Sequence, residues 1–241
     1  MSKGEAQSLD ENTRRYYLDV MGIQCWESND SQHRRENRGD VSIIEGNDTD
    51  VAALNYSNIE EAIQQCTACQ LHKTRKQALA GRGNQLAELM FVVLAPDISD
   101  DKSGVICSGE SDVLFSKMLA AIDINIDDVY LSSLLKCSVP INHTVSPKEI
   151  QSCNEHLKQQ VQLIQPKFLV ALGETAVRCL LQKDLSIDDY RAMNEDMQYT
   201  VESVPLFVSY SPGELLQRPE NKRKAWSDLQ QLQKILDKNN A

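Results

Sequence analysis

After residue 57 the chain alternates short apolar runs with longer stretches whose apolar residues recur at helical spacing, and few architectures accept that pattern. Four runs, 89–95, 129–135, 168–172 and 204–210, are apolar almost throughout, as parallel strands covered on both faces must be. Between them, 112–122, 147–164 and 174–181 predict helices, and 221–236 predicts a closing one. Pro147 suits the first turn of its helix, where a missing N–H costs little. Strand and helix in this order imply right-handed βαβ units and a three-layer α/β/α sandwich around a central four-stranded parallel sheet, within residues 58–241. In such sheets ligands bind beyond the carboxyl ends of the strands, so chemistry is expected just after Ala95, Leu135, Leu172 and Tyr210.

Residues 1–57 have a different character. The stretch 27–57 is polar and rich in Asn, Asp, Glu and Arg, too poor in apolar surface to offset its ordering entropy, and most of it is expected to be disordered linker. Ahead of it lies an apolar island from Tyr16 to Trp26, a tethered segment within about residues 12–27. No apolar run approaches the roughly 20 residues of a membrane span, and the first fifteen residues contain no apolar signal region, so a soluble, cytoplasmic protein is expected. The formal charge of −10 divides evenly, −5 on residues 1–57 and −5 on the rest. Neither part has the clustered Lys and Arg that grip phosphates by releasing counterions, so any DNA contact is expected to be indirect or weak.

Seven cysteines without a secretory signal point to a metal site before a disulfide framework. Cys66 and Cys69 form a CxxC pair; Cys137 and Cys153 follow, with fifteen residues between them. Four thiolates can hold structural zinc or a [4Fe–4S] cluster, and ligand identity alone leaves both open. Cys107 and Cys179 stand outside the set as buried or partly exposed thiols, and His72 is expected to be a surface histidine. The acidic pairs Asp127–Asp128 and Asp188–Asp189 suit helix caps and turns.

Several segments carry a resemblance. Cys66-Thr-Ala-Cys69, then Leu71 and Thr74-Arg75, resembles the N-terminal signature of the iron–sulfur (family-four) uracil-DNA glycosylases. Lys136-Cys137 with Pro140 and Asn142 is similar to that family's Lys-Cys-Arg-Pro-Pro segment in weakened form. Glu149-Ile150-Gln-Ser-Cys153 matches its Glu-Ile-x-x-Cys, and the run from Pro166 to Gly173 its Pro-Lys-x-Ile-Val-x-Leu-Gly. The match runs from about Ile59 to about Leu236. It implies a uracil-DNA glycosylase-like fold and a [4Fe–4S] cluster on Cys66, Cys69, Cys137 and Cys153.

The positions that the resemblance marks as catalytic are altered. Where the family has Gly-Glu-Ala-Pro-Gly, this chain has Val93-Leu94-Ala95-Pro96-Asp97, so Leu94 replaces the acid that would orient water. Ala95, Pro96, Asp100, Asp101 and Gly104 keep the frame of that segment. Cys107 stands in place of the phenylalanine on which the base stacks, a loss of about 1–3 kcal/mol per stacked base. Ser133 replaces the asparagine that reads the uracil edge, and Ser211, in Ser-Pro-Gly, the histidine of His-Pro-Ser. With four roles gone, the expectation is a protein without catalytic residues, not an enzyme. The alternative is a divergent DNA glycosylase acting on uracil or another deaminated base.

The island Arg14-Arg15-Tyr16-Tyr17-Leu18-Asp19-Val20-Met21-Gly22-Ile23-Gln24-Cys25-Trp26 resembles the start of the psi subunit of the bacterial DNA polymerase III clamp loader. That resemblance implies partners: the clamp-loader ATPase subunits, engaged through Tyr17, Leu18, Met21, Ile23 and Trp26, and the chi subunit. Aromatic and flexible apolar side chains of this kind are enriched at interface hot spots. The same island could instead pack on its own domain as an extra helix. The expectation joining these features is a non-catalytic, psi-like accessory subunit.

Overall fold

The computed structural model describes residues 49–195 and 197–239, with side chains from Tyr56 onward. Four parallel strands form the middle of the sheet: β2 (Leu89–Val93), β3 (Tyr130–Ser133), β4 (Phe168–Leu172) and β6 (Val204–Ser209). Every residue of β3 and β4 is buried, and since successive side chains point to opposite faces, helices must cover both sides. The sequence places all four strands correctly but runs three of them one to three residues too long. Past Val93 and Ser133 the chains stay together through single bonds, Leu134 N–H to the Val93 carbonyl and Leu135 N–H to that of Leu94.

These four strands are the central parallel set expected, and two antiparallel edge strands not foreseen extend the sheet to six and make it mixed. Its order is β1-β3-β2-β4-β6-β5, where β1 (Arg82–Gly83) and β5 (Tyr199–Val201) are antiparallel edges. Two- and three-residue strands carry no usable periodicity; they exist because β3 and β6 offer free edges to pair with. Chain order reverses beside β2, with β3 on one side of it and β4 on the other.

The helices are α1 (Thr49–Gln64), α2 (Ile98–Ser103), α3 (Glu110–Ala120), α4 (Pro147–Ile164), α5 (Glu174–Leu181), α6 (Ile187–Ala192), α7 (Pro212–Gln217) and α8 (Lys222–Asn239). Predicted bounds for α4 and α5 agree at both ends. At α4 the Ser146 hydroxyl accepts the Glu149 N–H and the Glu149 carboxylate accepts the Ser146 N–H, a reciprocal cap written in the sequence. Helix α1 corrects the expected linker: the chain is helical from Thr49, eight residues before the boundary drawn at 57. It is anchored by Tyr56, Ile59 and Ile63, one helical stripe, with Tyr56 and Ile63 buried and the Tyr56 hydroxyl bonded to that of Tyr130. Residues 1–48, which hold the island and most of the expected linker, lie outside the described residues. Asp127–Asp128 lie in a 3-10 turn capped by Asn125, and Asp189 closes the capping box with Ser186 that starts α6, both as expected. No helix among the described residues is long and apolar enough to cross a membrane.

Candidate active site and cysteine centre

A cavity of about 230 Å³ opens where the strand order reverses, beyond the carboxyl ends of β2, β4 and β6. Leu94, Asp97 and Cys107 line one side; Gly173, Ser211 and Glu214 line the other. Three of the four altered positions, Leu94, Cys107 and Ser211, are therefore brought together. Ser133 is not among the lining residues: it is fully buried at the end of β3, and its Oγ has no hydrogen-bond partner.

The β2 side of the cavity is built by carboxylates. Asp97 caps α2, its Oδ1 accepting the Asp100 N–H at 2.8 Å, while Asp100 Oδ2 accepts the Asp97 N–H at 3.1 Å. Asp100, only 3 % exposed, also takes the Cys107 N–H at 2.9 Å and the Ser108 N–H at 2.6 Å. One buried side chain thus folds the loop after Gly104 back over the end of β2. That loop carries Cys107 at a positive φ of 56°, with its thiol pushed up to about 12 by burial, so it lines the cavity as a neutral group.

Glu214 organises the opposite side. Its carboxylate accepts the Glu174 N–H at 3.1 Å and the Ser211 N–H at 3.0 Å, tying the starts of α5 and α7 to each other. Gly173, at φ 98°, makes room for it: a Cβ there would stand 3.1 Å from both Glu214 oxygens. The lining holds three carboxylates with the hydroxyls of Ser111, Thr175 and Ser211, and no Lys, Arg or His. Asp97 and Asp100 were read from the sequence only as a lost glycine and as frame, and Glu214 was not singled out. The signal for Glu214 was Ser211-Pro-Gly-Glu214, which has capping-box spacing.

The second site is a smaller cavity lined by Cys66, Cys69, Cys137 and Cys153 together with His72, Arg75 and Lys136. Cys66 and Cys69 lie between α1 and the 3-10 turn Gln70–Lys73, Cys137 follows β3, and Cys153 is on α4; the fold alone makes them meet. Leu71, Leu135, Val139 and Val145 form an apolar shell. Cys153 Sγ accepts the Lys136 N–H at 3.2 Å and Cys137 Sγ accepts Arg75 Nη1–H at 2.9 Å. Burial raises both thiols, Cys153 to about 11, which is the cost a bound cation would have to offset. Among the described residues all six cysteines are free, and no three Cys, His, Asp or Glu side chains are grouped as ligands of one metal ion. Cys107 and Cys179 lie outside this cavity, as expected. His72, expected at the surface, is partly exposed at the rim of this cavity, its Nδ1 2.5 Å from the Cys69 carbonyl oxygen. Lys136, fully buried, donates to Ser132 Oγ, the Ser133 carbonyl and Gln160 Oε1 at 2.6–2.8 Å, and burial lowers its ammonium to about 7.

Residues 80–230 match the model of the uracil DNA glycosylase superfamily. The chain belongs to that superfamily. It is 30% identical over 185 residues to a type-4 uracil-DNA glycosylase of Archaeoglobus fulgidus, covering 75% of this chain and 93% of the relative. A type-4 uracil-DNA glycosylase of Thermotoga maritima is 32% identical over 164 residues, 68% of this chain and 84% of its own length. One from Pyrobaculum aerophilum is 27% identical over 180 residues, 73% and 92%. Relatives of this superfamily bearing an enzyme's name across most of their length overturn the expectation that the chain is not an enzyme. Beside the lost side chains the cavity holds carboxylates, Asp97, Asp100 and Glu214. A clamp-loader role finds no support in these relatives, and Tyr17, Leu18, Met21, Ile23 and Trp26 lie outside the described residues.

Proposed function

We propose that this protein is a divergent DNA glycosylase of base-excision repair, hydrolysing the bond between deoxyribose and uracil or another deaminated base. One observation carries the reading: the cavity at the strand switch point is kept and lined with carboxylates and hydroxyls, although the family's acid, aromatic and histidine are gone. A nucleotide flipped out of the stack would place its base there. Water then adds to C1′, the C1′–N bond breaks with its electron pair leaving on the base, and the water's proton passes to an acceptor. Asp97 suits that last role, three residues beyond Leu94 on the same loop, with Oδ1 spent on the α2 cap and Oδ2 outside the capping box. Ser111, Thr175 and Ser211 would supply hydrogen bonds to the base. Oligonucleotides containing uracil, hypoxanthine or xanthine, scored for alkali-labile abasic sites, test the proposal. Cleavage of one of them, reduced about 10²–10⁴-fold in D97N, is expected; a wild type that leaves all three intact rejects it.

The donor set fits a [4Fe–4S] cluster. Four thiols line one cavity beside an apolar shell, and an N–H is already directed at each of two of the sulfurs, the surroundings a thiolate-held cluster calls for. Cys66, Cys69, Cys137 and Cys153 would hold the cluster, whose contribution is to staple α1, β3 and α4 together. A further part of the proposal rests on sequence alone: residues 12–27 tether the enzyme to clamp-loader ATPase subunits, with the chi subunit as a second partner. Loss of co-purification on W26A with L18A supports the tether, and equal recovery removes it.

A further inference from the structure

Arg75 occupies an unusual position beside the cysteine centre. Its guanidinium is half-buried and reaches three acceptors on three segments: Nη1 donates to Cys137 Sγ at 2.9 Å, and Nη2 donates to the carbonyls of Cys66 at 2.8 Å and Gln64 at 2.9 Å. The Gln64 carbonyl is at the last residue of α1, the Cys66 carbonyl begins the CxxC loop, and Cys137 follows β3 on the other side of the cavity. One planar fork therefore fixes the distance between the CxxC pair and a cysteine 71 residues after Cys66. A lysine would keep the charge, but its N–H groups radiate from one nitrogen and cannot reproduce a planar fork whose two nitrogens reach opposite sides of the cavity. The apolar shell of Leu71, Leu135, Val139 and Val145 strengthens any charge at this spot by keeping water away.

We infer that Arg75 is the positioning residue of the thiolate set and sets the reduction potential of the cluster. The inference rests on the cluster reading above. A charged N–H donated to a thiolate is about twice as strong as a neutral hydrogen bond. It draws electron density from the sulfur, so it stabilises the reduced cluster and raises its potential. The same fork holds the CxxC loop against Cys137 when the cluster is challenged.

The full-length protein, purified anaerobically with its cluster, supplies the test. Reduction by dithionite is followed spectroscopically against redox dyes in wild type, R75K and R75Q, and cluster absorbance is followed in the presence of an iron chelator. In R75Q the equilibrium constant for one-electron reduction is expected to fall about tenfold, or about 59 mV towards more negative potential. Chelator-driven loss is expected to accelerate about 10–100-fold, with R75K between the two in both readouts. An R75Q potential equal to that of wild type overturns the inference even if the cluster becomes more labile, because any loosened loop would give lability alone. Wild-type protein that carries zinc without iron or sulfide overturns the cluster reading and this inference with it, and leaves the glycosylase proposal standing.

Discussion

Replacing Asp100 with alanine should cost more than any other single change at the rim of the cavity. The side chain is 3 % exposed and accepts backbone N–H groups from Asp97, Cys107 and Ser108. Hydrogen bonds to an ionised acceptor contribute about 1.5–3 kcal/mol each, so three of them set a ceiling of about 4.5–9 kcal/mol. The ceiling is not reached, because Asp97 is exposed and Ser108 half-exposed, so water can take over their N–H groups; only the Cys107 donor is stranded. About 3–5 kcal/mol of lost stability follows. At about 2–4 °C per kcal/mol for a domain of this size, the melting temperature falls by roughly 6–20 °C. Urea unfolding followed by circular dichroism measures it, and an unchanged m-value confirms that stability alone has moved. A loss below about 1 kcal/mol would refute the reasoning, since it would mean that the loop does not depend on this carboxylate.

Other outcomes follow from the same geometry. Gly173→Ala forces a side chain into a φ, ψ region open almost only to glycine, at about 1–3 kcal/mol, and pushes the Glu214 carboxylate off the Glu174 N–H; denaturant titration should show the loss, and unchanged stability would contradict it. Burial alone would raise the Glu149 carboxyl, but the N–H and hydroxyl of Ser146, with His143, outweigh it and hold it below the usual carboxylate range. Its contribution is therefore complete above the unfolded-state value of about 4.3 and fades as pH falls through the lower folded-state value, so the stability gap between wild type and E149Q should close in acid; a gap constant down to that range argues against it. Cys153→Ser removes a proposed cluster ligand, the thiol that accepts the Lys136 N–H, and iron and sulfide per chain should drop well below those of wild type, whereas Cys179→Ser, outside the cavity, should leave them unchanged.

The parts of the fold legible in the sequence are those governed by local rules. Helix α4 was bounded correctly because Ser146, Pro147 and Glu149 specify its start and Pro166 follows its end. Strand β4 was bounded correctly because five buried residues lie between Lys167 and Gly173. Strands β1 and β5 were invisible because pairing with β3 and β6, not their own residues, makes them strands. The first turns of helix α1, 49–57, are read as linker because they follow a long polar stretch, while Ile59 and Ile63, which complete the stripe begun by Tyr56, lie beyond the boundary drawn at 57. At the candidate site, the four cysteines that line the smaller cavity are those the resemblance names. The carboxylates are not legible in the same way, because Asp97 enters the motif comparison only as a replaced glycine, Glu214 lies one residue past Ser211-Pro-Gly, and both are placed at the cavity by caps that only the folded helices α2 and α7 create.

The most direct test of the central claim is mass-spectrometric detection of free base after incubating the purified full-length protein with single-stranded DNA carrying one deaminated base. The account predicts stoichiometric release of that base with an abasic product, and markedly slower release by D97N. No base above the buffer control from any deaminated substrate, with folded and metal-loaded protein, would contradict it.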